Sequence, residues 1–199
     1  PFTKTAKYSY VVILWDCEND RVVSGYKITL ATEAVKQFGW GSLAISTSFY
    51  NLDELLERDA PVVLLEASFV APKFQRKGMA LLLTWRGVTQ LINTLKTQCH
   101  FLGRISTPYQ KYSPVVQALY VSCLRNGLYF SQSMCEVKAY LPCDEKSILS
   151  TRLLEASKEE RNLSEIERFI TKETGVNFKL PILLHKYTKH FPSEILGFG

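Results

Sequence analysis

Two stretches of this sequence carry residue types and spacings that could do chemistry. In the first, Glu66 and Ser68 interrupt the apolar run Val62 to Val70. Such a run is how a strand buried on both faces reads. A carboxylate in the middle of it is costly unless paired or hydrogen-bonded, and desolvation raises its pKa towards the range of a general base. The alternative is a carboxylate salt-bridged to a neighbour such as Arg104, keeping the sheet in register. The second stretch is Gln75-Arg76-Lys77-Gly78-Met79-Ala80. It sets small residues and two cations where a helix begins, and the unpartnered N–H groups of a first helical turn suit a phosphate or pyrophosphate. Gly78 lets a ligand approach the backbone closely. The spacing is neither that of a P-loop nor the GxGxxG of a dinucleotide fold.

A strand, a loop and a helix must hold these groups. Ala71, Pro72 and Lys73 end the strand, and beyond Gly78 the residues Leu81, Trp85, Val88, Ile92 and Leu95 recur on one helical face. Upstream, Tyr8 to Trp15 and Arg21 to Leu30 read as strands of a hairpin turning at Cys17 to Asp20. Ala31 to Phe38 reads as a short helix, Gly39 to Tyr50 as a loop, and Asn51 as the cap of a further helix with Glu54. Downstream, Phe101 to Thr107 is expected to be the next strand, parallel to the first through a right-handed crossover.

Ser113-Pro114 opens a helix with an N-cap and a first-position proline. Its expected inner face is Val116, Leu119, Tyr120 and Cys123 or Leu124, and Asn126-Gly127 closes it. Met134 to Leu141 reads as a last strand ended by Pro142. From Asp144 to Glu173 the sequence is charged and helical, with a capping box expected at Ser164 and Glu167. Leu180-Pro181-Ile182-Leu183-Leu184 opens a final helix whose apolar side chains are expected in the core.

Composition bounds the function. The 199 residues, 46% hydrophobic and 22% charged, are those of a soluble globular chain of one domain or one and a half. A net charge of +5 is too small to argue for nucleic acid, and no aromatic residues interleave with a basic stripe. Five cysteines, an odd number without CxxC spacing, read as reduced thiols of a cytoplasmic protein. The three histidines lie near no cysteine pair, so no metal site is expected. No apolar run reaches the roughly 18 residues of a membrane span, and no signal peptide precedes Pro1. The chain opens without Met, as a processed or trimmed chain would. Lys179, Lys186 and Lys189 around the last helix would suit peripheral contact with the inner membrane, although core burial is the commoner outcome.

Gln75-x-x-Gly78-x-Ala80, after a strand carrying an acidic residue and before an amphipathic helix, resembles the acyl-CoA pyrophosphate loop of the GNAT acyltransferases. Three blocks in order, EASFVAPKFQRKGMALLLTWRGV, FLGRISTPYQKYSPVVQALYVSCLR and KLPILLHKYTK, resemble the hemolysin-like branch of that family in its Bacteroidetes versions. That branch includes bacterial N-acyltransferases that make glycine and ornithine lipids. The resemblance runs from about Tyr8 to the end. It implies an α/β GNAT-type fold, a mixed twisted sheet with helices on both faces, with an acyltransferase core over residues 1–143 and a helical extension over 144–199.

The resemblance also implies roles. Gln75, Arg76, Lys77, Gly78, Met79 and Ala80 would hold the pyrophosphate or phosphopantetheine phosphate, and the backbone at Ser68, Phe69 and Val70 the pantetheine arm, as in GNAT folds. Ser68 would also lie beside the substrate, although a satisfied strand hydroxyl is its commoner role. Glu66 would take the proton of the acceptor amine. The strands Val62 to Val70 and Phe101 to Thr107 would splay around a cleft, with Arg104 as a substrate-binding and Ser106 as a catalytic candidate, in a register that the sequence leaves open. Tyr120 is placed to reprotonate the leaving thiolate, and a core aromatic is the plainer reading. The branch carries Arg directly before the Ser where this chain has Ala67, so the family's way of holding a substrate carboxylate is in question.

The implied reaction moves a fatty acyl group from an acyl carrier protein or CoA thioester to glycine or ornithine, with the phosphopantetheine donor as co-substrate and no tightly bound cofactor. Lys73, Arg76, Lys77 and Arg86 would dock an acidic carrier protein. The rivals are an acetyl-CoA-dependent N-acetyltransferase of a small amine and a non-catalytic module that binds acyl carrier.

Overall fold

In the computed structural model the described residues are 4–39, 42–43, 50–51, 60–75, 79–95, 98–106, 111–130, 138–139, 143–190, 193, 195–196 and 198. The chain divides into two compact units, Pro1–Ser48 with Asp53–Arg104, and Phe49–Leu52 with Ile105–Gly199. The compositional change at Asp144 lies inside the second unit.

The first unit is α/β. Strands β1 (Ser9–Asp16) and β2 (Arg21–Leu30) form the expected hairpin. Its turn is held by Asp16, which accepts from Asn19 and Arg21. Asp20 closes it at φ 47°, a left-handed conformation that a short polar side chain tolerates. After helix α1 (Ala31–Phe38) comes a two-residue strand β3 (Tyr50–Asn51), which belongs to the second unit. Asn51 is thus a strand residue and not the cap of a helix, and the rest of that expected helix lies outside the described residues.

Strand β4 (Val62–Val70) pairs antiparallel with β2 and parallel with β5 (His100–Gly103), giving a four-stranded mixed sheet in the order β1-β2-β4-β5. Between β4 and helix α2 (Met79–Thr94) the described residues form a 3-10 turn, Pro72–Phe74. Its Val88 and Ile92 pack with Trp85 and Leu91 on Tyr26, Ile28, Val63 and Leu65. The fully buried line of the helix is Ala80, Thr84, Val88 and Ile92, one position back from the expected Leu81 and Trp85, because small residues let the helix lie close to the sheet. Val62 and Leu64, which alternate with Val63 and Leu65, are equally buried, and α1 packs against β2 and β4. Thr32 of α1 accepts from the Val62 amide at 2.9 Å.

Two expectations for this sheet are corrected. Only Val62 to Leu65 of β4 is buried; Glu66 to Phe69 is exposed, so the strand is not covered on both faces along its length. β5 stops at Gly103, so Arg104, Ile105 and Ser106 are not strand residues. An apolar run reports which residues prefer burial but not where the covering elements end.

The second unit is mainly helical: α3 (Pro114–Arg125), α4 (Glu145–Ile148), α5 (Thr151–Ser157), α6 (Leu163–Thr174) and α7 (Ile182–His190), with β6 (Lys138–Ala139) paired to β3. Ser113 caps α3 as expected, accepting from the Val116 amide. α3 is buried over nearly its whole circumference and shares a core with Leu163, Ile166 and Ile170 of α6 and with Phe178, Leu180 and Leu184. The rest of the expected strand Met134 to Leu141 lies outside the described residues. The capping box of α6 is formed by Asn162 and Glu165 and not by Ser164 and Glu167. Ile182 is 75% exposed while Leu184 is buried, so the start of the last helix is split between solvent and core.

Candidate functional site in the first unit

The candidate site lies where β4 leaves the cover of β5. The β4–β5 ladder ends at the pair Leu65–Gly103, and from Glu66 to Val70 the only ladder partner of β4 among the described residues is β2. Glu66 counts as an exposed residue although its side chain is only 21% exposed, so the exposure falls on its main chain. A strand edge of this kind presents N–H and C=O groups to whatever extended group can add to it.

Glu66 also sits at an irregularity. Lys27 pairs with Ala67 and Ile28 with Leu65, so Glu66 is the extra residue of a β-bulge. Bulges re-aim side chains, and here the carboxylate turns towards the face of β2 that carries Lys27 and Thr29. Lys27 Nζ stands 2.7 Å from Glu66 Oε2. The Thr29 hydroxyl donates to the same oxygen at 2.5 Å and lies 2.8 Å from the Ser9 hydroxyl. The cation beside Glu66 is therefore Lys27, from the neighbouring strand, where the sequence suggests Arg104. The sequence does not pair Lys27 or Thr29 with Glu66; their two-residue spacing puts them on one face, Leu64 pairs with Thr29 on that face, and Glu66 follows Leu64 by two.

The other expected residues fall as follows. Ser68 pairs with Tyr26 and Phe69 with Gly25. The Phe69 ring lies over Gly25 so closely that a Cβ there would be 2.6 Å from Cε1, and the absence of a side chain at Gly25 is what admits the ring. Val70 closes the strand, and its carbonyl accepts from Gln75 Nε2 at 2.9 Å, so the Gln75 amide ties the turn to the strand end. Arg76, Lys77 and Gly78 lie outside the described residues. Met79 is exposed at the start of α2, and Ala80 is buried.

The Ala80 carbonyl accepts from Thr84 Oγ1 at 2.8 Å, and Thr84 Oγ1 is 2.5 Å from Ser24 Oγ. This buried hydroxyl pair pins the first turn of α2 to β2 and was not foreseen from the sequence. Lys73 and Arg86 are both exposed.

Arg104 is an exposed residue just past β5, and Ser106 is exposed in the segment before α3, within the second unit. Tyr120 is 7% exposed in the core of that unit, its ring 5.6 Å from that of Phe178. Burial pushes the thiol of its neighbour Cys123 up to about 12, against a smaller opposing effect of Arg161. No group of three His, Cys, Asp or Glu side chains among the described residues could hold a metal ion. No helix of the described residues is long and apolar enough to cross a membrane. Comparison of the chain with protein-family models, with curated proteins and with solved structures found no match.

Proposed function

We propose that this chain is a GNAT-type N-acyltransferase that moves a fatty acyl group from an acyl carrier protein or CoA thioester to the amine of an amino acid such as glycine or ornithine. The observation that carries the reading is the stretch Glu66 to Val70, an extended main chain that among the described residues pairs on one edge only, beside a carboxylate. The pantetheine arm of either donor contains two amides and can add to such an edge as a short strand. That would bring the thioester at its end towards Glu66. The turn after β4 leads into α2, whose N-terminal end is the natural seat for the donor's phosphate. Lys73 and Arg86 add positive charge on the same stretch of chain for an acidic carrier protein.

In the transfer, the acceptor ammonium gives a proton to the Glu66 carboxylate and the neutral amine attacks the thioester carbonyl. A C–N bond forms and the C–S bond breaks, and the thiolate leaves and takes up the second proton, which the nitrogen gives up as it becomes an amide. Placing Glu66 by two neighbours in advance contributes to the rate by orientation as well as by proton transfer.

The test is mass-spectrometric: the chain with palmitoyl carrier protein, palmitoyl-CoA or acetyl-CoA, each offered glycine and ornithine. A long-chain N-acyl amino acid is expected, reduced about 10²- to 10⁴-fold in Glu66→Gln and lost in Gly78→Glu. Acetyl products alone would replace the reading by acetyl transfer, and no product from any pair would overturn it.

A further inference from the structure

We infer that Lys27 and Glu66 together form a site for a zwitterion: the Lys27 ammonium takes the carboxylate of an α-amino acid while the Glu66 carboxylate takes its ammonium. The inference rests on the acyl-transfer reading above and names the acceptor class within it. Two opposite charges stand 2.7 Å apart on one sheet face, their side chains 36% and 21% exposed, so both are within reach of a small solute. An amino acid carries the same two charges separated by one carbon. It can insert between the protein's pair by exchanging one ion pair for two.

The surroundings favour that exchange. Lys27 is the more exposed partner, at 36%, and its flexible side chain can turn its ammonium from Glu66 to an incoming carboxylate. When Lys27 turns to the incoming carboxylate, Glu66 keeps the hydroxyl of Thr29, which is itself buried and in contact with Ser9, so the carboxylate stays in place. Ala67 is the cross-strand partner of Lys27, and its methyl group leaves space beside the lysine that a longer side chain would fill. The acceptor's ammonium would then lie on the group that removes its proton, next to the open edge where the thioester is expected.

The experiment compares glycine with glycinamide, which keeps the amine and caps the carboxylate, at saturating palmitoyl donor in wild type, Lys27→Met and Lys27→Arg. In Lys27→Met, kcat/KM for glycine is expected to fall about 10- to 100-fold, the worth of one charge-assisted contact. The value for glycinamide, which has no carboxylate for Lys27 to hold, should fall less, so that the glycine-to-glycinamide ratio drops about 10-fold or more, and Lys27→Arg should retain most of the wild-type preference. Equal losses with both acceptors would reduce Lys27 to a holder of Glu66 and overturn the inference, as would a glycine-to-glycinamide ratio unchanged by Lys27→Met. Either result leaves acyl transfer standing, whereas a wild type that acylates neither amine from any donor overturns both readings.

Discussion

Gly87 of α2 tests whether the helix lies as close to the sheet as the structure places it. Alanine there would put its Cβ 2.7 Å from Val12 Cγ1 of β1. Carbon atoms prefer about 3.5 to 4.0 Å, so one side must yield by roughly 1 Å. Val12 cannot yield cheaply, because a β-branched side chain in a strand is restricted at χ1 and this one packs against the Tyr26, Ile28 and Val88 cluster. Two terms compete. Replacing glycine inside a helix gains about 1 kcal/mol, while overpacking a formed contact costs about 1 to 3 kcal/mol. Gly87→Ala should therefore destabilise the first unit by about 1 kcal/mol.

All three tryptophans, Trp15, Trp40 and Trp85, fall within that unit's part of the sequence, so urea unfolding followed by tryptophan fluorescence reads it alone. The double variant is the sharper measurement. In a Val12→Ala background the obstructing methyl is gone, and the same Gly87→Ala change should turn stabilising by up to about 1 kcal/mol. A midpoint raised by Gly87→Ala in the wild-type background would refute the close approach of α2 and β1.

Two further predictions concern polar groups in each unit. Thr84→Val should destabilise by about 1 kcal/mol, because it removes the hydroxyl pair and leaves the buried Ser24 hydroxyl only the Ala80 carbonyl at 3.5 Å, while Ser24→Ala combined with Thr84→Val should recover most of the loss, again by tryptophan fluorescence. Burial pushes the Glu167 carboxyl up, but the Leu180 amide, His185 and Lys179 outweigh it and hold the group below its ordinary 4.5. Its contribution to stability is thus present above that value and lost as pH falls through the lower folded one. Glu167→Gln should cost about 1.5 kcal/mol or more near neutrality, and the gap from wild type should close at acid pH in urea unfolding followed by circular dichroism.

Much of the fold could be read from the sequence because its elements have clear periods and clear stops. The hairpin of β1 and β2, helix α1, the strand-turn-helix passage through β4 and α2, and the capped helix α3 all appear where alternation, helical spacing and Ser113-Pro114 put them. What escaped was cover and register. Phe69 and Val70 are as apolar as Val62 and Val63, yet β5 pairs only as far as Leu65, and nothing in β4 itself says where its neighbour ends. The Lys27–Glu66 pair escaped for a related reason. Alternation along β4 puts Glu66 on the face of Leu64, but the extra residue at the bulge shifts the pairing beyond it, so counting does not show that Lys27 lies alongside.

The capping box of α6 shows how one local choice settles the role of a distant side chain. The sequence offers two overlapping patterns three residues apart in span, Asn162 with Glu165 and Ser164 with Glu167. Both satisfy the same rule, and asparagine and serine are about equal as caps, so propensity does not decide between them. Packing does. Starting α6 at Leu163 places Leu163, Ile166 and Ile170 on the α3 core, whereas a start after Ser164 would leave Leu163 outside the helix. With Glu165 used at the cap, Glu167 is free to accept from the Leu180 amide at 2.8 Å and to meet Lys179 and His185. The carboxylate that reads in sequence as a helix-starting signal becomes the clasp joining α6 to the segment that leads into α7. Its acid sensitivity follows from a core contact several residues away.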